Sequence, residues 1–310
     1  MAGWRAMDCR APLLALLLLP GVAFAGGIVD AEFVAKALAR GAIAWDVRGA
    51  DEYANGHLPG AVSVGHVSQA IIDPKTQLLR PAAEIERVWG GAGIDPAREI
   101  VVYGLRGSAF AYFAQFALEA FGAGNVSVFH DGVDAWRAAG HPVSTSPTVR
   151  ERVELKLPKQ PALPITTDEV VEKVGRNDVQ FVDTRRLGEF VGKESETLHA
   201  GHIPGAVHIL YSRNYRDPET PLKLMRKETT DTAGMALKPD DELRKLYAGL
   251  DPGKETIVYC HTGIRAALTT AVLKRLGFRN VKLYYASWLE YGNRPRARVE
   301  TALPPAPPPR

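Results

Sequence analysis

Short runs of β-branched and aromatic residues alternate with longer apolar stretches through most of the chain. Ile100–Tyr103 and residues 256–259 are unbroken runs of strand length, the pattern of strands buried on both faces. Each precedes a glycine-containing loop and then an apolar segment of helical length, Ala109–Ala120 and residues 266–276. Gly277 suits the cap that ends the second of these helices. Val126–Phe129 and residues 281–284 read as the strands that follow. This alternation predicts an α/β fold in which each unit is a parallel sheet with helices on both faces. Ligand sites in such sheets form in loops at the carboxyl ends of strands. Cys260 falls at such a point.

The whole pattern occurs twice. The first copy has Trp45-Asp46-Val47-Arg48, then Asp51-Glu52-Tyr53, then Gly56-His57-Leu58-Pro59-Gly60-Ala61. The second has Val182-Asp183-Thr184-Arg185, then Gly188-Glu189-Phe190, then Gly201-His202-Ile203-Pro204-Gly205-Ala206. The offset between copies grows from 137 (183 − 46) to 145 (202 − 57) to 156 (259 − 103), so the second copy carries extra loop residues. Much of the excess falls in residues 215–238, which are either a solvated loop or a basic lip over a site. Residues 26–146 and 166–298 are therefore expected as two domains. Residues 147–165, with Pro147, Pro158, Pro161 and Pro164, read as an extended linker, and residues 299–310 as a Pro-rich tail.

The N-terminus changes the cysteine arithmetic. Arg5 and Arg10, an apolar run ending at Leu19, and Ala23-Phe24-Ala25 form the pattern of a secretory signal over residues 1–25. The run is too short, and too interrupted by Pro12 and Pro20, for a spanning helix. The expected setting is export to the periplasm, with no membrane attachment once the signal is removed. Cys9 would leave with it, so Cys260 remains as a lone thiol, either buried and inert or reactive. The formal charge of +3 over 310 residues is not clustered and gives no support for nucleic-acid binding.

Cys260-His261-Thr262-Gly263-Ile264-Arg265 joins a strand end to a helix start. Unsatisfied backbone N–H groups, the positive end of the helix dipole, a turn at Gly263 and the Arg265 charge all favour a thiolate and an anionic ligand there. An inert, buried cysteine is the plainer alternative, and a scaffold role would require Cys260 to be inaccessible to solvent. His57 and His202 recur in both copies, which points to turn-stabilising roles, and Trp136 and Trp288 read as packing residues. Arg185, matched by Arg48, reads as structural, whereas Arg186 is a candidate for the mouth of a site.

From about Gly27 to Asn293 the chain resembles the tandem-domain rhodanese family of sulfurtransferases. The resemblance rests on the Cys260–Arg265 loop, the Gly201–Ala206 block and Ser287-Trp288-Leu289-Glu290-Tyr291-Gly292. It implies two rhodanese-like domains, Cys260 as the nucleophile, and a substrate site built from His261, Thr262, Gly263, Ile264, Arg265 and Arg186. It implies a Cys260 persulfide that carries sulfane sulfur from thiosulfate to cyanide or a thiol acceptor, with no metal or other cofactor. The first copy has Gly104 where the cysteine belongs and is expected to be catalytically inactive; Ser108 nearby lacks a base.

Arg265 lies five positions after Cys260, one fewer than in the related cysteine phosphatases, so the ring of amides is expected to be too small for a phosphoryl group. His261 and Arg265 in the loop favour the doubly charged thiosulfate over 3-mercaptopyruvate, which remains the alternative donor. A persulfide carrier or binding module without turnover is the other alternative.

Overall fold

The computed structural model describes residues 27–302. The signal expected over residues 1–25, with Cys9, and the tail beyond residue 302 lie outside the described residues.

The first unit holds five parallel strands: β1 (Ile28–Val29), β2 (Ile43–Asp46), β3 (Val62–Ser63), β4 (Ile100–Tyr103) and β5 (Val126–Phe129), in the order β1-β5-β4-β2-β3. The second holds β6 (Val179–Asp183), β7 (Val207–His208), β8 (Glu255–Tyr259) and β9 (Asn280–Leu283), in the order β7-β6-β8-β9. Strands β2, β4 and β5 are buried at every position, as unbroken apolar runs between two helical layers should be. Both units are the parallel α/β architecture that the alternating pattern predicts.

Helix Ala109–Ala120 has the bounds read from its sequence and is buried on nearly every side. Its twin, Ile264–Arg275, begins two residues earlier than expected, because Gly263 adopts a left-handed conformation (φ 81°) and serves as its N-cap. These two helices pack against each other. Each is therefore held between its own sheet and its twin, which is why neither shows a polar face of ordinary width. One continuous core runs through both units, joining Trp45, Trp89 and Phe113 to Val258, Cys260 and Leu268.

Two segments differ from their sequence reading. The linker is extended, but it is strapped to the first unit: Val153 N–H donates to Gly90 O at 3.0 Å, Leu157 N–H to the Glu86 carboxylate at 2.8 Å, and Ala162 N–H to Ala120 O at 2.8 Å. Leu155, Leu157 and Leu163 pack on the core. The chain beyond residue 298 also stays attached, since Glu300 and His202 exchange backbone hydrogen bonds at 2.8 and 3.0 Å. The tail boundary at 299 thus falls inside packed structure.

The repeated motifs hold each unit together. Arg48 and Arg185 are buried, each paired with the aspartate two residues earlier at 2.6 Å and donating to a glycine carbonyl, Gly56 or Gly201, at 2.7 Å. His57 stacks on Tyr53 at 3.7 Å and His202 on Phe190 at 3.6 Å, each with Nδ1 bonded to that residue's carbonyl at 2.8 Å. Trp136 is buried with its indole N–H on Pro142 O. Trp288 covers the Arg185 guanidinium at 4.4 Å. These are packing roles, although Arg185 and Trp288 also face the cavity described below.

Candidate active site

Strand β8 ends at Tyr259, and the chain turns at once into residues 260–263 before the helix begins. Three contacts fix the turn from the side. Cys260 N–H donates to Ser287 Oγ at 3.2 Å, and that hydroxyl donates to Tyr284 O at 2.7 Å. Trp288 N–H donates to Cys260 O at 3.1 Å and Leu289 N–H to His261 O at 2.9 Å. Gly263 is required: a Cβ there would lie 2.7 Å from Tyr285 O, in a backbone region that disfavours side chains.

The amides that follow are left open. Among the described residues, no protein acceptor takes the N–H groups of His261 through Ala266. The amides of Ile264, Arg265 and Ala266 are the ones any helix leaves open in its first turn, and those of His261, Thr262 and Gly263 extend them into an arc beside a thiol, an arrangement suited to an anion. The first unit gives the internal control. In its corresponding loop three of the six matching amides are paired: Arg106 N–H donates to Asp134 Oδ2 at 3.1 Å, Gly107 N–H to His130 O at 2.8 Å and Ser108 N–H to Leu105 O at 3.1 Å, while those of Leu105, Ala109 and Phe110 have no acceptor among the described residues. Gly104 offers no side chain there.

A cavity of about 430 Å³ opens above the Cys260 loop. His261, Thr262, Arg265 and Arg186 line it, together with Arg185, Tyr211 and Trp288. Cys260 itself is fully buried in the core beneath the loop and is not among the residues that line the cavity. Gly263 acts through its backbone, and Ile264 does not belong to the cavity. Its side chain points to the first unit, where it meets the groove containing Ser68 and Phe110. The helix starts at Ile264, so the side chain takes the helix direction instead of the loop's. A larger space of about 830 Å³ lies between the twin helices but reaches none of residues 260–265.

The charge of the site differs from the sequence expectation. Arg265 is not a free cation: both its terminal nitrogens bond the Glu189 carboxylate at 2.9 Å. Burial works against the Glu189 charge, but the Arg265 bonds outweigh it and hold the group at about 2. Burial likewise opposes the Arg265 charge, and the same bonds outweigh it, raising the guanidinium above its usual value. Arg186 is also paired, with Glu189 and Glu194 at 3.2 Å each. His261 is driven below its ordinary value by burial, with Glu189 and Glu196 opposing, so it is a neutral imidazole at neutral pH.

Glu189 was not singled out by sequence, although its block repeats. In the first unit Glu52 accepts only the Gly49 amide at 3.2 Å, because the position matching Arg265 is Ala109 (265 − 156).

Residues 215–238 supply the remaining wall. Pro218, Pro221, Leu222 and Met225 face the cavity, while Lys223 is turned to Asp217 at 2.9 Å. The lip is apolar, not basic. The segment is pinned to the first unit by Tyr215 Oη donating to Gly107 O at 2.6 Å and Thr232 Oγ1 to Asp134 Oδ2 at 2.7 Å. The first unit thus holds one wall of the second unit's site.

Two fused α/β units, one with a cysteine at the strand end and open turn amides beside it, the other with a glycine there and its turn amides paired, define a protein with one cysteine loop among the described residues. The family model for the rhodanese-like domain matches residues 30–139 and again 166–294. The chain belongs to that family, and is a sulfurtransferase of it. It is 33% identical over 274 residues to a thiosulfate sulfurtransferase of Corynebacterium glutamicum, covering 80% of this chain and 81% of that one. It is 31% identical over 276 residues to a thiosulfate sulfurtransferase of Azotobacter vinelandii, covering 88% and 96%. The anaerobic ergothioneine biosynthesis enzyme of Chlorobium limicola, solved with trimethyl histidine, shares the fold with a TM-score of 0.73 at 23% identity, covering 89% of this chain and 70% of that one.

No helix among the described residues is long and apolar enough to cross a membrane.

Proposed function

We propose that Cys260 takes the sulfane sulfur of thiosulfate and passes it to cyanide or a thiol acceptor. The Cys260 thiolate attacks the outer sulfur, a new S–S bond forms, and the old one breaks with its electron pair leaving on sulfite. The acceptor then attacks the outer sulfur of the Cys260 persulfide, and the Cys260 thiolate leaves. This divides one transfer into two easier displacements. The observation that carries the reading is the arc of unpaired amides from His261 to Ala266, which can bind the charge of the donor and of the persulfide.

The burial of Cys260 alone is what an inert cysteine would show. The contrast lies in the turn itself: the amides of Arg106, Gly107 and Ser108 in the nucleophile-free unit are paired, whereas those of their counterparts Thr262, Gly263 and Ile264 are open. The donor reading leans on the amides and on the names of the relatives, since the Arg265 charge that favoured thiosulfate is compensated by Glu189. The apolar wall of Leu222 and Met225, in a cavity with far more room than thiosulfate needs, suits the body of an organic thiol acceptor. The proposed setting is the periplasm, on the strength of the signal pattern in residues 1–25.

Thiocyanate formation from thiosulfate and cyanide is the test, read beside the intact mass after thiosulfate alone. Wild type should turn over and gain one sulfur atom; Cys260→Ser should do neither. Sulfur gained only from a protein donor would instead make the chain a carrier, and turnover with 3-mercaptopyruvate but not thiosulfate would replace the donor.

A further inference from the structure

The cavity above the Cys260 loop is lined by a phenol whose hydroxyl nothing in the protein occupies. Tyr211 opens the short helical turn Tyr211–Asn214 just after β7, and its ring lines the cavity with Arg265 and His261. Its hydroxyl makes no hydrogen bond within the described residues. Its position is closely tied to the nucleophile. Tyr211 N–H donates to Thr184 O at 3.1 Å, and Thr184 donates through both N–H and Oγ1 to Tyr259 O at 3.0 Å, one residue before Cys260.

The turn is anchored from behind. Asn214 donates to Thr269 Oγ1 at 3.1 Å and accepts from Tyr247 Oη at 2.7 Å, both buried. Tyr215 meets the Tyr211 ring edge-on at 6.0 Å. A phenol on a rigid mount, turned into a reaction cavity with no protein partner, is placed to serve a ligand.

The duplication sharpens the point. In the first unit the same backbone bond, to Val47 O at 3.1 Å, is made by Val67, a buried apolar residue. The hydroxyl occurs only in the unit that has the nucleophile.

Building on the persulfide chemistry above, we infer that Tyr211 is a catalytic residue of the second half-reaction, donating a hydrogen bond to the outer sulfur of the Cys260 persulfide. A persulfide anion repels an incoming cyanide or thiolate. A hydrogen bond to its outer sulfur withdraws electron density and leaves that atom open to attack. The S–S bond then breaks with its electron pair going to Cys260, and Tyr211 keeps its proton throughout. Burial, with Cys260 adding to it and Arg265 opposing, raises the Tyr211 phenol above its ordinary value, so it stays a donor.

The test separates loading from discharge in Tyr211→Phe, which keeps the ring and removes only the unpartnered hydroxyl. Cys260 is loaded with thiosulfate and, separately, with inorganic polysulfide; discharge to cyanide is followed by stopped-flow thiocyanate detection. Loss of a hydrogen bond to a charged atom should slow discharge about tenfold or more, with loading within about threefold of wild type. Discharge within about twofold of wild type would overturn the inference. Equal loss in both steps would overturn it too, since a merely structural role predicts that. Wild type that loads from polysulfide but not thiosulfate would refute the proposed donor, while the discharge comparison would still decide the role of Tyr211.

Discussion

The Glu189–Arg265 pair beside Cys260 gives the most quantitative handle on the site. Glu189→Gln keeps the shape and one hydrogen-bonding oxygen but removes the charge, leaving a largely buried guanidinium without a counter-ion. Glu189 is held at about 2 in the folded chain, against an ordinary 4.5. That difference of about 2.5, at ~1.4 kcal/mol per pH unit, corresponds to about 3.5 kcal/mol of stability. Some exposure remains, 12% for Glu189 and 24% for Arg265, so about 2 kcal/mol is the working expectation. The carboxylate binds protons less readily folded than unfolded. Its contribution is therefore complete above pH 4.5 and is lost as pH falls from about 4.5 through about 2. Urea unfolding of wild type and Glu189→Gln at pH 7 and pH 3 reads this directly. The variant should be less stable by about 2 kcal/mol at pH 7, and the gap should shrink by half or more at pH 3. A gap below ~0.5 kcal/mol at pH 7, or one unchanged at pH 3, would refute the assignment of the pair as a charge-dependent tie.

Two other substitutions probe the loops themselves. Gly263→Ala places a Cβ 2.7 Å from Tyr285 O at φ 81°, so the turn must shift. A loss of about 1–3 kcal/mol in chemical unfolding, with sulfur loading of Cys260 reduced at least tenfold, is the expected result. Gly104→Cys restores a thiol at the strand end of the first unit, where the amides of Arg106, Gly107 and Ser108 are already paired. Intact mass after thiosulfate should still show one added sulfur per chain, and a second would disprove the role given to open amides.

Much of this architecture is readable before folding. The strands and the first twin helix could be bounded because unbroken apolar runs between glycine turns leave one arrangement, burial on both sides. The duplication identified Arg185, His57 and His202 as structural, since a residue kept in the nucleophile-free copy serves the fold. What escaped is what depends on partners distant in sequence. Glu189 repeats as Glu52, but only its copy meets an arginine, 76 residues along the chain. Ile264 sits within the loop motif, yet the left-handed turn at Gly263 starts the helix there and directs its side chain to the other unit. The lysines and arginines of residues 215–238 fit a solvated loop and a basic lip equally. Folding turns Pro218, Pro221, Leu222 and Met225 inward instead.

The paired charges also limit how the site can select an anion. Arg185, Arg186 and Arg265 all line the cavity, and each has a carboxylate partner, from Asp183, Glu189 or Glu194. Opposite charges a few ångströms apart nearly cancel at longer range, so little long-range attraction remains for a dianion. The amides of His261 through Ala266 carry no such counter-charge, and their dipoles act over one contact distance. Selection must then occur at contact, by how well a small projecting sulfur and its oxygens meet a fixed arc of N–H groups. On the proposed thiosulfate chemistry, compensated arginines serve this end: a free guanidinium over the thiol would hold sulfite as firmly as it holds the donor. Amide dipoles aimed at one point favour the atom that reaches it, and release the product that does not.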